Sequence, residues 1–280
     1  METRSDKTQA AKAATFKSLH ERPGMFVIPN PWDAGSAKML AVVGFEALAT
    51  TSAGLAYSLG KADGEGAVTR EEALENGRAI VAVTTLPVSA DLENGYGDDP
   101  GTCAETILLA AAAGLVGGSI EDATGRPADP IYGFELSVAR VKAAVIAARS
   151  LPFHFTLTAR AENLIHGRPD LKDTIRRLEA FADAGADVLF APGLNTPGEI
   201  EAIVKALAPK PVNVVLSTGI AHLSFEQIAA LGVKRLSLGS AFARAAYSAF
   251  LGAAEEIHKK GTFTFAQPAI PYGKINDLLR

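Results

Sequence analysis

Eight short runs rich in β-branched and small residues recur along the chain, spaced by longer Ala- and Leu-rich stretches of helical period. The runs are MFVIPN (25–30), ALATTS (47–52), PVSADLE (87–93), GGSIED (117–122), FTLTAR (155–160), DVLFAP (187–192), PVNVVLS (211–217) and RLSLGS (235–240). Between and after them lie AGSAKMLAVVG, TREEALENGRAIVAVT, CAETILLAAAAG, ELSVARVKAAVIAARS, LKDTIRRLEAFADAG, PGEIEAIVKALA, SFEQIAALG and AFARAAYSAFLGAAEEIHKK. Helix starts are marked by Asp33, Thr69 and Thr196, and helix ends by Gly44, Gly114, Gly185 and Gly232. An opening helix is expected over residues 8–20. Eight strand–helix repeats in 280 residues predict one (β/α)8 TIM barrel over residues 1–280, with an N-terminal helix in front of it. A doubly wound sheet would carry a Gly-rich turn after its first strand, and IPNPWDAG is not one.

Composition narrows the function classes. The chain is 48% hydrophobic and 21% charged, an ordinary globular balance with material for a sizeable core. The net charge is −4 and no basic tract runs along it, which argues against a nucleic-acid partner. Cys103 is the only cysteine, so neither an intrachain disulfide nor a thiolate zinc cage can form. No apolar run has membrane-spanning length, and METRSDKTQAAKAATF lacks an apolar signal core. The expectation is a cytoplasmic protein with no membrane association. There is no GxxxxGK[ST] loop, no GxSxG elbow, and no HExxH pair among the histidines at 20, 154, 166, 222 and 258.

The stretch VSADLENGYGDD (88–99) places Asp91, Glu93, Asp98 and Asp99 around Gly-Tyr-Gly at the end of a strand. In a barrel, chemistry sits at the carboxyl ends of the strands. The acids after strands two to four (Asp63, Asp91, Glu93 and Glu121) should therefore converge. Asp91 and Glu93 are two apart on an extended segment and leave on the same face. Like charges crowded this way repel unless a cation or a proton relieves them. Oxygen ligands without His or Cys suit a hard cation, Mg²⁺ or Mn²⁺. Each motif alone is also compatible with a polar turn, but three clusters on consecutive strands favour the metal. An EF-hand loop is excluded, because Gly95 stands fifth rather than sixth and no helix leads in.

Arg160 ends an apolar strand, where a guanidinium needs a partner. It is either a structural ion pair with Glu162 or Glu121, or a clamp on a substrate carboxylate or phosphoryl group. The small residues Thr51, Ser52 and Ala53 let backbone N–H groups approach an anion. LSTG and GSAF, after strands seven and eight, are an alternative phosphate site. Trp32, Tyr57 and His222 could wall the pocket, though packing or a helix-start hydrogen bond is the default for them. Cys103 falls at a helix start and reads as a buried, neutral thiol.

NPWDAGSAKML, TTSAG, LGKAD, DLENGYG, GGSIED and TARAE occur in this order along almost the whole chain. The ordered set resembles the isocitrate lyase/phosphoenolpyruvate mutase superfamily. That resemblance implies a barrel whose eighth helix is exchanged with a neighbouring subunit. The C-terminal helix and tail would then serve oligomerisation, giving a homotetramer, a dimer of helix-swapped dimers. It also implies a Mg²⁺ site binding a 2-oxo acid or the enolate derived from it. The family's direct metal aspartate matches Asp91, its second acid Glu93, its strand-four glutamate Glu121 and its acid after the Leu-Gly turn Asp63. Its strand-five arginine matches Arg160, and its anion-binding backbone matches Thr51, Ser52 and Ala53.

The departures bear on the subfamily. Isocitrate and methylisocitrate lyases carry a Lys-[Lys/Arg]-Cys-Gly-His loop after strand four. Here the loop reads EDATGRPADPIYGF, and the Lys-rich loop of the phosphonate enzymes is missing too. The metal half of the site is present and the usual acid/base half is absent. The expectation is a Mg²⁺-dependent carbon–carbon lyase acting on a 2-oxo acid, best matched to oxaloacetate decarboxylation. In it Asp91, Glu93 and Glu121 hold the metal, while Arg160, Asp63 and Glu121 serve catalysis. The alternatives are phosphonomutase-type chemistry, methylisocitrate lyase-like activity, and a 2-oxo-acid binding protein without turnover. Arg126 and Tyr132, in this altered loop, are the candidates to close over the site.

Overall fold

The structure, a computed structural model, describes residues 8–280; the first residues of the N-terminal stretch read above lie outside the described range. Its eight strands are β1 (Phe26–Ile28), β2 (Leu48–Ala49), β3 (Val88–Asp91), β4 (Gly117–Glu121), β5 (Thr156–Arg160), β6 (Val188–Phe190), β7 (Val212–Val215) and β8 (Arg235–Ser237). All pair in parallel, in the order β1-β8-β7-β6-β5-β4-β3-β2. The β1–β2 seam is bridged by Ala49 N–H donating to the Pro29 carbonyl, 3.0 Å. This is the expected (β/α)8 barrel. The helices are α1 (Gln9–Glu21), α2 (Ala34–Val43), α3 (Ser52–Ser58), α4 (Arg70–Ala82), α5 (Pro100–Ala112), α6 (Phe134–Arg149), α7 (Leu171–Asp183), α8 (Pro197–Leu207), α9 (Phe225–Ala230), α10 (Ala241–Lys260) and α11 (Tyr272–Leu279).

The caps read from the sequence are in place. Asp33, Thr69 and Thr196 each accept from the N3 backbone in reciprocal capping boxes. Gly44 ends α2 in the left-handed region. Each strand is shorter than its run, β2 most of all. The ALATTS run predicts a strand to residue 52, but β2 stops at Ala49. The Thr51 hydroxyl accepts from Gly54 N–H, so Thr51 caps α3, and local side-chain-to-backbone bonding wins over β propensity.

Helix α1 lies against the barrel through Ala13, Phe16, Leu19 and His20. Phe16 is fully buried, worth about 2–3 kcal/mol, and the Gly-Gly opening of β4 makes room for it. A Cβ on Gly117 would come within 2.8 Å of the Phe16 ring and 2.9 Å of the Thr156 carbonyl. At the other end of the chain, α10 buries only Ala243. Exchange of this helix between subunits is not shown by the structure. The tail forms α11, which lies against α2, with Lys38 donating to the Leu279 carbonyl. No helix among the described residues is long and apolar enough to cross a membrane.

Candidate active site

The carboxyl ends of the strands open into two adjoining concavities. The first is a cavity of about 220 Å³ inside the barrel, lined by Thr51, Ser52, Ala53, Asp63, Asp91 and Arg160 among others. It is smaller than the roughly 300–1,000 Å³ of drug-sized sites, so it suits a molecule of a few carbons. The second, about 770 Å³, lies between the loops after β2, β3 and β4, and takes Glu93, Glu121, Tyr96 and Arg126 on its wall. The sequence-selected acids therefore stand along the border of the two, Asp63 and Asp91 on the barrel side, Glu93 and Glu121 on the groove side.

Arg160 is the hub. Its Nη1 donates to Asp91 Oδ1 at 2.9 Å, its Nε to Glu162 Oε1 at 2.9 Å, and its Nη2 lies 3.2 Å from Glu121 Oε2. Both partners raised from sequence, Glu162 and Glu121, are engaged, and Asp91 as well. Burial works against the guanidinium's charge, but Glu162, Glu121 and Asp91 together raise its pKa well above the ordinary range. The Phe190 ring lies 5.0 Å from its guanidinium carbon.

The carboxylates feel the opposite pressure. Burial, then repulsion from Asp91 and Asp63, pushes Glu93 up to about 7, against the pull of Arg160. Asp63 is raised by burial and by Asp91. Glu121 is raised well above its ordinary value, mainly by burial. Glu162, 1% exposed, is pushed to about 7 by burial against the pull of Arg160. One arginine does not neutralise this cluster; a bound proton or a cation would. Among the described residues no three His, Cys, Asp or Glu side chains are gathered so as to hold a metal ion on their own. Asp91, Glu93 and Glu121, the acids expected to hold a metal, are thus not gathered into a closed three-ligand site.

The turn after β3 is wound tightly. Glu93 (φ +46°), Gly95 (φ +77°) and Tyr96 (φ +62°) are all left-handed. The Asn94 side chain accepts from Tyr96 N–H at 2.9 Å, an Asx turn. Beneath lies Cys103, fully buried, its Sγ 3.5 Å from the Asn94 carbonyl oxygen; burial pushes the thiol up, and it packs rather than reacts.

The residues missed in the sequence stand one layer out. Arg140, 1% exposed, donates to the carbonyls of Asn94, Gly97 and Asp98 and stacks on Tyr132. Buried Arg177 and Asp122 pair at 2.9 Å, and Asp122 accepts from Glu162 N–H at 2.8 Å, so this pair holds the Glu162 backbone. Helical period places Arg140 and Arg177 among many surface arginines; only tertiary packing singles them out.

Other candidates are placed differently. Trp32 and Tyr57 line neither concavity; Tyr57 meets Tyr247 of α10 edge-on. His222 is exposed and lines neither. Arg126 and Tyr132 both bond to Asp98, on the outer side of the groove, instead of reaching over the acids. The backbone N–H groups of Leu238 and Gly239, which a phosphate after β8 would use, already donate to Asn30 Oδ1 at 2.9 Å each.

Comparison with known proteins identifies the family. The family model described as phosphoenolpyruvate phosphomutase matches residues 16–258. The chain belongs to the isocitrate lyase/phosphoenolpyruvate mutase superfamily. A solved structure from Burkholderia cenocepacia J2315 is 59% identical, covers 96% of this chain and 95% of its own, and superposes with a TM-score of 0.92. The 2-methylisocitrate lyase of Salmonella typhimurium is 34% identical over 67% of this chain and 62% of its own length. An oxaloacetate decarboxylase of Bradyrhizobium diazoefficiens is 32% identical over 50% of this chain and 48% of its own. Among its relatives are lyases and mutases of this superfamily, and the chain is an enzyme of that carbon–carbon lyase type.

Proposed function

We propose that the protein is a divalent-metal-dependent lyase acting on a small 2-oxo acid, with oxaloacetate decarboxylation as its reaction. The observation that carries this is the surplus of carboxylates over cations at the barrel mouth: Asp91, Glu93, Glu121 and Glu162, largely withdrawn from solvent, with exposed Asp63 beside them, around Arg160 alone. Asp91, Glu93 and Glu121 would hold Mg²⁺ or Mn²⁺, directly or through waters. The bound cation would supply Lewis acidity toward the substrate's carboxylate and 2-oxo oxygen.

The chain's own residues then act as follows. Ser52 and Ala53 line the cavity, and their backbone N–H groups would receive the carboxylate beside the 2-oxo group; Ser52 N–H donates to Asp91 Oδ2 at 3.4 Å. Arg160 holds Asp91 and Glu121 in place and places positive charge where the enolate oxygen develops. Glu162 and the Asp122–Arg177 pair behind it fix the guanidinium. In oxaloacetate the C3–C4 bond breaks, carbon dioxide leaves, and its electron pair passes to C3 as the enolate of pyruvate. Water then protonates C3.

This reaction suits the loop after β4, Ala123–Gly133, which has neither Cys, Lys nor His to move a hydroxyl proton. A positioned acid or base contributes roughly 10²–10⁴ in rate to reactions that need one. The expected result is Mg²⁺-dependent release of pyruvate from oxaloacetate, with negligible cleavage of isocitrate or 2-methylisocitrate and none of phosphonopyruvate. Asp91→Ala should keep the fold and lose both the activity and Mg²⁺ binding. Unchanged Mg²⁺ affinity in that variant, or efficient 2-methylisocitrate cleavage by the wild type, would overturn the reading. The reading extends to a homo-oligomer built through α10, tetrameric by family resemblance.

A further inference from the structure

The interior of a barrel of this kind is ordinarily filled by bulky branched side chains. Here the layer below the acids is small and polar: Ser89, Ser119, Thr158, Asn213 and Ser237 line the cavity, and with them Arg235. Arg235 is 6% exposed. Its Nε donates to Asn213 Oδ1 at 2.7 Å, its Nη2 to Thr158 Oγ1 at 3.0 Å, and its Nη1 meets His20 Nε2 at 3.3 Å. His20 is held as the acceptor there. Its Nδ1 lies 2.8 Å from the Phe16 carbonyl oxygen, and burial, with Arg235 next, pulls its pKa to about 3, so the imidazole is neutral.

Two arginines therefore face one cavity in opposite states. Arg160 is bonded to three carboxylates, whereas Arg235 has none among the described residues. Burial alone pulls Arg235 down, to about 9, which leaves it charged at neutral pH. Three of a guanidinium's five N–H donors are used, and the rest have no partner among the described residues. A buried cation without a counter-charge is costly, and well-packed apolar side chains fill such a space at least as well. Thr158 precedes Arg160 by two residues on β5, so the guanidinium bonded to it lies about one layer, roughly 6.6 Å, below the mouth. That separation is of the order of a four-carbon chain.

We propose that Arg235, oriented by Asn213 and Thr158, forms an anion subsite at the barrel floor that receives the second carboxylate of a dicarboxylic 2-oxo acid whose first carboxylate is held at the mouth. The proposal rests on the mouth binding a 2-oxo acid. The floor subsite selects diacids over monoacids of the same length. Ser89, Ser119 and Ser237 give the passage between mouth and floor a small, polar lining.

The test is calorimetric, on the full chain with Mg²⁺ present, using stable probes of one carbon skeleton. Malate carries a carboxylate where 2-hydroxybutyrate carries a methyl group; pyruvate probes the mouth alone. The expected result is malate at least tenfold tighter than 2-hydroxybutyrate in the wild type. Arg235→Met should lose that tenfold while 2-hydroxybutyrate and pyruvate stay within twofold. Arg235→Lys, which keeps the charge but not the fork, should give intermediate discrimination, and it carries the test if the Met variant does not fold. Equal affinity for the two probes in the wild type, or discrimination retained in Arg235→Met, overturns the subsite while leaving the mouth reading intact. Malate binding that depends on Arg235, with no binding of pyruvate or 2-hydroxybutyrate, supports the floor and sinks the mouth. Failure of all three probes on the wild type overturns both.

Discussion

Glu93 shows how a single side chain couples the fold to its ligand. It sits in the left-handed region beside Asp91 and Asp63, half-buried, with its pKa raised from 4.5 to about 7 by burial first and then by those two acids. A carboxyl group whose pKa is higher folded than unfolded binds more protons in the folded state. It therefore costs stability increasingly as pH rises from 4.5 toward 7, and the full cost is present above 7. In metal-free protein, Glu93→Gln should raise the Tm at pH 8, and the gain should vanish at pH 4. Mg²⁺ should raise the wild-type Tm at pH 8 and raise that of Glu93→Gln much less. Thermal scans at the two pH values check this, and a Glu93→Gln variant less stable than wild type at pH 8 would refute it. This acid was legible in the sequence, as were Asp91, Glu121 and Arg160, because charges at the ends of apolar strands stand out; Asp63, in the loop after α3, was reached through the LGKAD motif. Arg235 was not. In GVKRLSLGS it follows a lysine at a strand start, where an exposed cation is ordinary, and only the closed barrel turns it inward.

At the scale of elements, the turn after β3 is built from the inside. Arg140 clamps its carbonyls and Cys103 floors it. A Cβ at Gly95 would lie 2.9 Å from Cys103 Sγ and 3.2 Å from its Cα, at a φ of +77° that side chains rarely adopt. Gly95→Ala should therefore cost about 2 kcal/mol or more, about 1–2 from the backbone conformation and the rest from displacing α5. It should also displace Glu93, so activity falls with stability. Cys103→Ala should keep kcat within about twofold, because the thiol packs and does not react. Denaturant unfolding and turnover of the two variants decide the matter; a Cys103→Ala enzyme without activity would make the thiol more than packing. The strands were legible as eight apolar runs because each is covered on both faces. The boundaries that failed have local causes. Thr51 turned from strand to cap through its own hydroxyl, and α11 lies in a tail whose turn residues mask an eight-residue helix.

The whole molecule is a closed barrel with one element left outside it. α10 is rooted at its start, where Ala243 is fully buried near Gly54 and Tyr247 meets Tyr57 edge-on. Beyond that, Phe250 is 67% and Leu251 58% exposed, and Phe263, Phe265, Ile270 and Tyr272 continue the apolar surface into the tail. A strand–helix repeat that closes a barrel normally lays its last helix back over the sheet, so an eighth helix with one buried residue in twenty is unfinished within one chain. In the homo-oligomer proposed above, an isologous pairing through α10 would cover this apolar surface in both subunits at once. Light scattering at micromolar concentration should give an oligomer. A charge at the centre of the exposed face would be buried unpaired by such a contact, at a cost of several kcal/mol per subunit. Phe250→Glu should therefore lower the oligomer's stability and release smaller species at the same concentration, while the barrel keeps its circular dichroism spectrum. A wild-type monomer, or a Phe250→Glu variant with the mass of the wild-type oligomer, would show that α10 does not mediate assembly.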